Sequence, residues 1–468
     1  MHILSKSTYI KGMQCPKALY MQKKHPYLRD RLSIEKRAIF KRGTDVGVLA
    51  HDYYPGGTDM SPANASQFPK KAAETAENLK NPSINIMYEA VFQYNDTLIM
   101  LDMLVRDGDR WMAIEVKSSM ALSEIYYNDA ALQYYVLKGC QVPLSDFRLM
   151  YLNGDYCKDG PVDVGALFKS ESVLEYVEQR EPFVKSNVER LKAVVALPHA
   201  PQTPIGTQCH NPYTCDFIGH CWKKVPKNSF LFTTALDDKV LFEQYHNGID
   251  TNTQMLGRVP DNSLETLQIE ALESNTYYID YKVLFSVLPK LKHQSTAFLN
   301  LLLYRPAVPE TDGMKPYQEM MLAFAIKGEH EADSQTIWHC FDDHSKWREA
   351  IPLLIEKIAK YEKIVCFTPQ NTTSTLLRHE IIHNQLVTDK VFNLFEALNA
   401  ANFFHARIKD GFTLQHVAQA IFPDVELFEH SRILMNALGS VFPDQELAIQ
   451  DLCTESEIVE RIFRHFNK

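Results

Sequence analysis

Residues 101–119 read LDMLVRDGDRWMAIEVKSS and bring together side-chain types that can do hydrolytic chemistry. Asp102 stands toward the end of one apolar, β-rich run, and Glu115 and Lys117 lie on the next. Residues i and i+2 of a strand share a face, so Glu115 and Lys117 project together while Val116 turns into apolar packing. Asp102 and Glu115 can then hold Mg2+ or Mn2+, hard cations that prefer oxygen ligands. Such an ion polarises a phosphate and lowers the pKa of a bound water. Lys117 can orient that water or stabilise the charge that builds on the phosphate. An acid–x–Lys pair also arises as ordinary surface charge, so its surroundings matter. A helix containing Gln133, Tyr134 and Tyr135 follows at the spacing of a βα unit, and Glu89 lies one strand earlier in MYEAVF. His51, after Gly43 and Gly47, could add an imidazole ligand and so favour manganese, although a lone histidine is more often a satisfied or exposed side chain.

Cysteine supplies the second chemical signal. Of nine cysteines, Cys140, Cys157, Cys340, Cys366 and Cys453 are scattered and read as plain buried thiols. Cys209, Cys215 and Cys221 form C-x5-C-x5-C within IGTQCHNPYTCDFIGHCW, and Cys15 stands far upstream. Structural zinc generally uses closer pairs. The wider spacing with one distant thiolate suits a [4Fe-4S] cluster with four cysteine ligands, zinc being the alternative. Cys15 would then tie the N-terminal helix to the end of the domain.

These groups need scaffolding. Residues 5–24 read as an amphipathic helix opening at Ser5 and interrupted at Cys15-Pro16. A helix is expected over 33–54, with close packing at Gly43 and Gly47. Strands follow between Ile84 and Val105 around a YNDT turn, and again from Trp111 to Ser118. A helix over 121–139, a strand over 147–152 and a helix over 166–195 complete the first half. Residues 226–275 look like a small helical connector. From about 276 strand and helix alternate, with FLNLLLY and KIVCFT as buried strands.

Hydrophobic residues make up 45% of the 468-residue chain and charged residues 23%, ordinary for a globular protein. No apolar run reaches the roughly 20 residues needed to span a bilayer. The N-terminus MHILSKSTYIKGM lacks an apolar secretion segment, so the expectation is a cytoplasmic protein without membrane contact. Disulfides are then not expected. Net charge is −9, but residues 1–42 carry eleven Lys/Arg against Asp30 and Glu35, a local +9 against −18 elsewhere. Such a surface can grip phosphates, or be a solvated helix face.

The order SxSxY…CP…LY, G-x3-G-x3-H, LD, EVK, a Q-Y-Y helix and C-x5-C-x5-C resembles the PD-(D/E)xK nucleases of the RecB type. It is closest to their iron–sulfur branch, which includes the CRISPR-associated RecB-like exonucleases. The resemblance covers residues 1–225. It implies a restriction-endonuclease-like α/β domain cutting DNA, often single strands from an end, with Mg2+ or Mn2+. It implies roles for His51, Asp102, Glu115, Lys117, Gln133 and either Tyr134 or Tyr135, with Cys15, Cys209, Cys215 and Cys221 as cluster ligands. After the 226–275 connector, residues 276–468 resemble a DEDD-type, RNase H-like exonuclease domain found behind such nucleases in a bacterial family of unknown function. Pro306, Ala307, Pro309, Gly313, Pro316, Tyr317 and Gln318 keep its pattern. Its Asp-x-Glu is replaced by Asn300-Leu301-Leu302, a later Asp by Asn393 and a terminal one by Ser456. The resemblance thus implies a second α/β domain without catalysis, serving substrate or a protein partner. CRISPR adaptation, phage defence and DNA repair are the settings it offers. The competing class is a non-catalytic DNA-end-binding or assembly subunit.

Overall fold

The computed structural model describes residues 3–289, 295–328, 335–368, 386–387, 389–426, 434 and 444–467. The chain forms two units, residues 1–223 with 307–317 and residues 224–306 with 318–468. Each is mixed α/β around its own mixed sheet. Among the described residues no helix is long and apolar enough to cross a membrane.

The first unit opens with β1 (Leu4–Ser5) and α1 (Lys6–Gln14). Ser5 caps α1 reciprocally: its hydroxyl accepts from Thr8 N–H, and the Thr8 hydroxyl accepts from Ser5 N–H. The helix stops at Cys15 and Pro16 starts α2 (Pro16–Lys24), since proline fits the first helical position but not a continuing turn. Then come α3 (Ile34–Ala50), capped by Ser33, β2 (Thr58–Asp59) and α4 (Phe68–Asn78). β3 (Ile86–Tyr94) turns into β4 (Thr97–Asp107) through Asn95 and Asp96, whose φ angles of 47° and 57° are what a tight two-residue hairpin requires. β5 (Arg110–Lys117) follows, and α5 (Glu124–Gly139) carries the chain across so that β6 (Leu144–Leu152) runs parallel to β5. The sheet order is β2-β3-β4-β5-β6-β7, with β1 beside β4 and β7 spanning Phe168–Ser172. Ala130 to Leu137 of α5 are buried, in one core with Leu101, Trp111, Phe147 and Val177.

Two expectations need correction here. The stretch 166–195 is not all helix: FKSES adds the edge strand β7 first, and the long helix starts only at Leu174. Arg148 on β6 holds this edge through Ser170, a cross-strand bond that local helical periodicity does not foresee. Nor do Gly43 and Gly47 mark close packing, since a Cβ at either would meet nothing within 4 Å. Closely approached glycines lie elsewhere, among them Gly12, whose Cβ would lie 2.8 Å from Leu19 and Leu191, and Gly139, whose Cβ would run into the Tyr94 ring.

In the second unit β8 (Thr296–Tyr304), β9 (Met320–Gly328), β10 (Gln335–His339), β11 (Lys363–Cys366) and β12 (Val391–Asn393) order as β10-β9-β8-β11-β12. The first three are antiparallel, whereas β11 runs parallel to both β8 and β12. FLNLLLY and KIVCFT supply β8 and β11. The last helix, Gln445–Phe466, is buried along Val459, Ile462 and Phe463. Residues 226–275 belong to this unit and contain helices Asp238–His246, Asn252–Leu256 and Leu264–Glu273.

Candidate active site

β4 and β5 pair Met103 with Ile114, so Asp102 and Glu115 stand side by side on the sheet. Glu115 is buried and both its oxygens are engaged. Oε1 accepts from Lys117 Nζ at 2.8 Å and from Lys6 Nζ at 2.6 Å, and Oε2 accepts from Gln133 Nε2 at 2.7 Å. Lys117 also donates to Asp129 Oδ2 at 2.8 Å, with its ammonium 5.0 Å from the Tyr126 ring centre. Asp102 Oδ2 accepts from Val116 N–H at 2.6 Å. Gln133 is fully buried, and its Oε1 has no hydrogen-bond partner among the described residues.

The charges explain the protonation preferences. Burial raises the Asp102 pKa, and the Glu115 and Glu89 carboxylates add to the rise, which Lys6 opposes. Burial works against the Glu115 charge too, but the Lys117 and Lys6 ammoniums outweigh it and hold that carboxyl below its usual range. Lys117 is pushed up despite burial because it lies between Glu115 and Asp129. Glu89 faces Asp102 across β3 and β4 in a left-handed conformation, φ 50°, a strained backbone for a non-glycine residue in a strand. Its pKa is raised by burial and by Glu115.

Of the expected residues, Asp102, Glu115, Lys117 and Gln133 therefore converge. His51 stacks on the Tyr88 ring at 4.0 Å, with Asp52 and Asp59 as its charged neighbours, and burial lowers its pKa. Its Nε2 is buried and has no hydrogen-bond partner among the described residues. The Tyr134 hydroxyl points to Glu178 and the Tyr135 hydroxyl accepts from Asn95, so neither joins the Glu115 network. Lys6, Tyr126 and Asp129 are the site residues that sequence reasoning missed. Asp129 and Tyr126 sit four and seven residues before Gln133, the spacing of one helix face, and could have been found that way. For Lys6 no local pattern pointed to the site.

Cys15, Cys209, Cys215 and Cys221 line one pocket together with Phe217 and Ile218, and none is in a disulfide. Burial raises the thiol pKa of Cys15, Cys215 and Cys221. Asp216 binds Lys11 of α1 at 2.5 Å, Arg29 at 3.2 Å and Lys36 of α3 at 3.4 Å, tying three basic segments to the cysteine loop. Gln14 Nε2 adds bonds to the Gln208 and Tyr213 carbonyls. Among the described residues no three His, Cys, Asp or Glu side chains are set to hold a single metal ion. Of the five other cysteines only Cys340 and Cys366 are buried; Cys157 is exposed, against expectation.

In the second unit the positions where the resemblance would place carboxylates have structural duties. Asn300 donates to Glu455 Oε2 at 2.7 Å, and Leu302 is fully buried. Asn393 caps the helix Leu394–Ala400 by accepting from Phe395 N–H, and Ser456 donates to the Cys453 carbonyl. Buried Asp451 and Glu455 share one face of the last helix. Compared with known proteins, the chain matches no family model and no curated protein.

Proposed function

We propose that the first unit is a metal-dependent nuclease acting on DNA ends or single strands, its cysteine pocket holding a [4Fe-4S] cluster. The observation that carries this reading is the convergence of Asp102, Glu115, Lys117 and Gln133 in one buried cluster. Asp102, Glu115, Glu89 and Asp129 bring four carboxyl groups to it, against the two ammoniums of Lys6 and Lys117, and the raised Asp102 and Glu89 pKa values reflect that crowding. A divalent cation fits that crowding, and Gln133, which donates through Nε2 to Glu115 Oε2, ties the helix to the same group. Mg2+ commonly takes only one or two carboxylates and leaves other positions to water and substrate phosphate, so a ready-made three-ligand cage is not required. Asp102 and Glu115 would hold the ion, with Mn2+ an alternative if His51 turns inward. Bound there, it would supply Lewis-acid polarisation of a phosphate and a more acidic water. Lys117, fixed by Asp129 and over Tyr126, keeps its positive charge and can stabilise a phosphate oxygen as charge builds on it.

The cysteine set fits a cluster for a related reason. Zinc needs its thiolates to converge on one ion, whereas a cubane distributes four thiolates over four irons. Four cysteines around one pocket, three of them at the wide C-x5-C-x5-C spacing, favour the cubane. The mixed sheet of the second unit is compatible with an RNase H-like fold, and the engaged Asn300 supports a catalytically silent role. The test is anaerobic purification with iron analysis, followed by incubation with end-labelled single-stranded DNA, duplex DNA and RNA in Mn2+. DNA shortening that chelation stops is the expected result. Stoichiometric zinc without iron, or intact DNA under every condition, would refute the corresponding half of the proposal.

A further inference from the structure

We infer that the outward face of α3 is a docking strip for single-stranded nucleic acid, on which Phe40 stacks against a base while neighbouring bases of the protein hold the backbone. This deepens the nuclease reading by naming where the strand is gripped. α3 is buried only toward its C-terminal end, at Val46 and Ala50, whereas Ile39 and Phe40 in its N-terminal half, and Val48, are 52%, 57% and 61% exposed. At 3.6 residues per turn, Lys36, Phe40, Gly43 and Gly47 fall on one face. The two glycines leave open space beside Phe40, since a Cβ at either would touch nothing within 4 Å. A flat base could therefore lie along bare helix backbone next to the ring.

Charge selects the occupant. α3 carries Lys36, Arg37, Lys41 and Arg42 against Glu35 and Asp45, and the preceding segment adds Arg29 and Arg31. Arg29 and Lys36 share Asp216 and Lys41 pairs with Asp45, so the excess positive charge rests on Arg31, Arg37 and Arg42. Its apolar side chains are interleaved with these cations and do not form the continuous stripe that would seat a partner helix or dip into a bilayer. Isolated aromatic rings between cations are what alternating bases and phosphates need. The segment leading into α3 also exposes Tyr27, at 77%. Lys36 is anchored to Asp216 and to the Thr214 carbonyl, so the cysteine loop sets where the strip lies.

The experiment is fluorescence anisotropy of the full chain with a labelled oligothymidylate in EDTA, so no cleavage is needed. Phe40→Ala should weaken binding by roughly tenfold, the usual scale for one base–aromatic stack, and Phe40→Trp should restore it. Arg37→Ala should lower the slope of log affinity against log salt by about 0.7, the value for one phosphate on a single strand. Because Phe40 is exposed, its loss should leave the melting temperature unchanged. Binding by Phe40→Ala within about twofold of wild type would overturn the inference. So would Phe40-dependent capture by phosphatidylserine vesicles with oligonucleotide binding unaffected, which marks a membrane face. A chain that binds through Phe40 yet cuts nothing in Mn2+ refutes the nuclease reading and leaves this one standing. Cleavage with Phe40-independent binding does the reverse.

Discussion

Replacing Asp102 by Asn separates what a buried carboxylate does for stability from what it does for chemistry. Asp102 is half-buried, faces Glu115 and Glu89, and accepts a backbone hydrogen bond from Val116. Asparagine keeps an oxygen for that N–H and removes the charge. The attraction of Lys6 is lost, but Lys6 retains Glu115 at 2.6 Å. Burying a poorly compensated polar group costs about 1–3 kcal/mol, so the variant should gain ~2 kcal/mol in the absence of metal. For a unit of this size that raises the melting temperature by about 5 °C. The sign with pH follows from the raised pKa. The favourable contribution of Asp102 is present below its unfolded value, about 4, and is lost as pH rises through the higher folded value. The advantage of Asp102→Asn should therefore widen from about pH 5 to about pH 8 and close in stronger acid. Calorimetry in EDTA measures this directly, and adding Mn2+ should reverse the ranking by stabilising wild type alone. An Asn variant that melts several degrees below wild type in EDTA near pH 8 would refute the reasoning and make Asp102 a structural hub. Cleavage should be lost in either case.

Lys117→Ala should lower DNA cleavage on the order of 10² or more, with iron content and Mn2+ binding retained, because Lys6 still offsets Glu115. Undiminished cleavage by this variant would place the active site elsewhere. Cys215→Ala should lose the iron–thiolate colour and about four irons per chain, read by visible absorbance and metal analysis; retention of both would remove Cys215 from the ligand set. The second unit should contribute no exonuclease activity, so full-length Lys117→Ala given single-stranded DNA or RNA in Mg2+ or Mn2+ should leave ends intact, and metal-dependent shortening would show a second active site.

Features set by short-range pattern were readable in the sequence. Ser5, the Cys15-Pro16 break, the Asn95-Asp96 turn and the Glu115–Lys117 alternation each act within a few residues, and the fold places them as the periodicities require. What escaped depends on partners distant in the chain. β7 is a strand because β6 offers it an edge, and Lys6 is a site residue because β1 lies beside β4. The role of Asp216 is visible only when Lys11, Arg29 and Lys36 are brought to it. Glu89 was noticed as a nearby carboxylate, but its left-handed backbone opposite Asp102 could not be read from MYEAVF. The tyrosines next to Gln133 show the limit of motif transfer: neighbours on a helix point about 100° apart, so sharing a motif with Gln133 does not aim their hydroxyls at its partner.

The two units solve the problem of buried carboxylates differently. In the second, each of two deeply buried glutamates has a dedicated donor: Glu455 accepts from the Asn300 amide, and Glu319 from Arg305 Nε at 2.9 Å. Asn300 stands where the resemblance would place a carboxylate, and its amide gives Glu455 a hydrogen bond instead of a second negative charge. In the first unit the carboxyl groups outnumber the ammoniums, Asp102 is driven toward protonation, and the Gln133 carbonyl has no donor among the described residues. Such an arrangement is costly to the fold by itself, and the divalent cation proposed above would offset that cost.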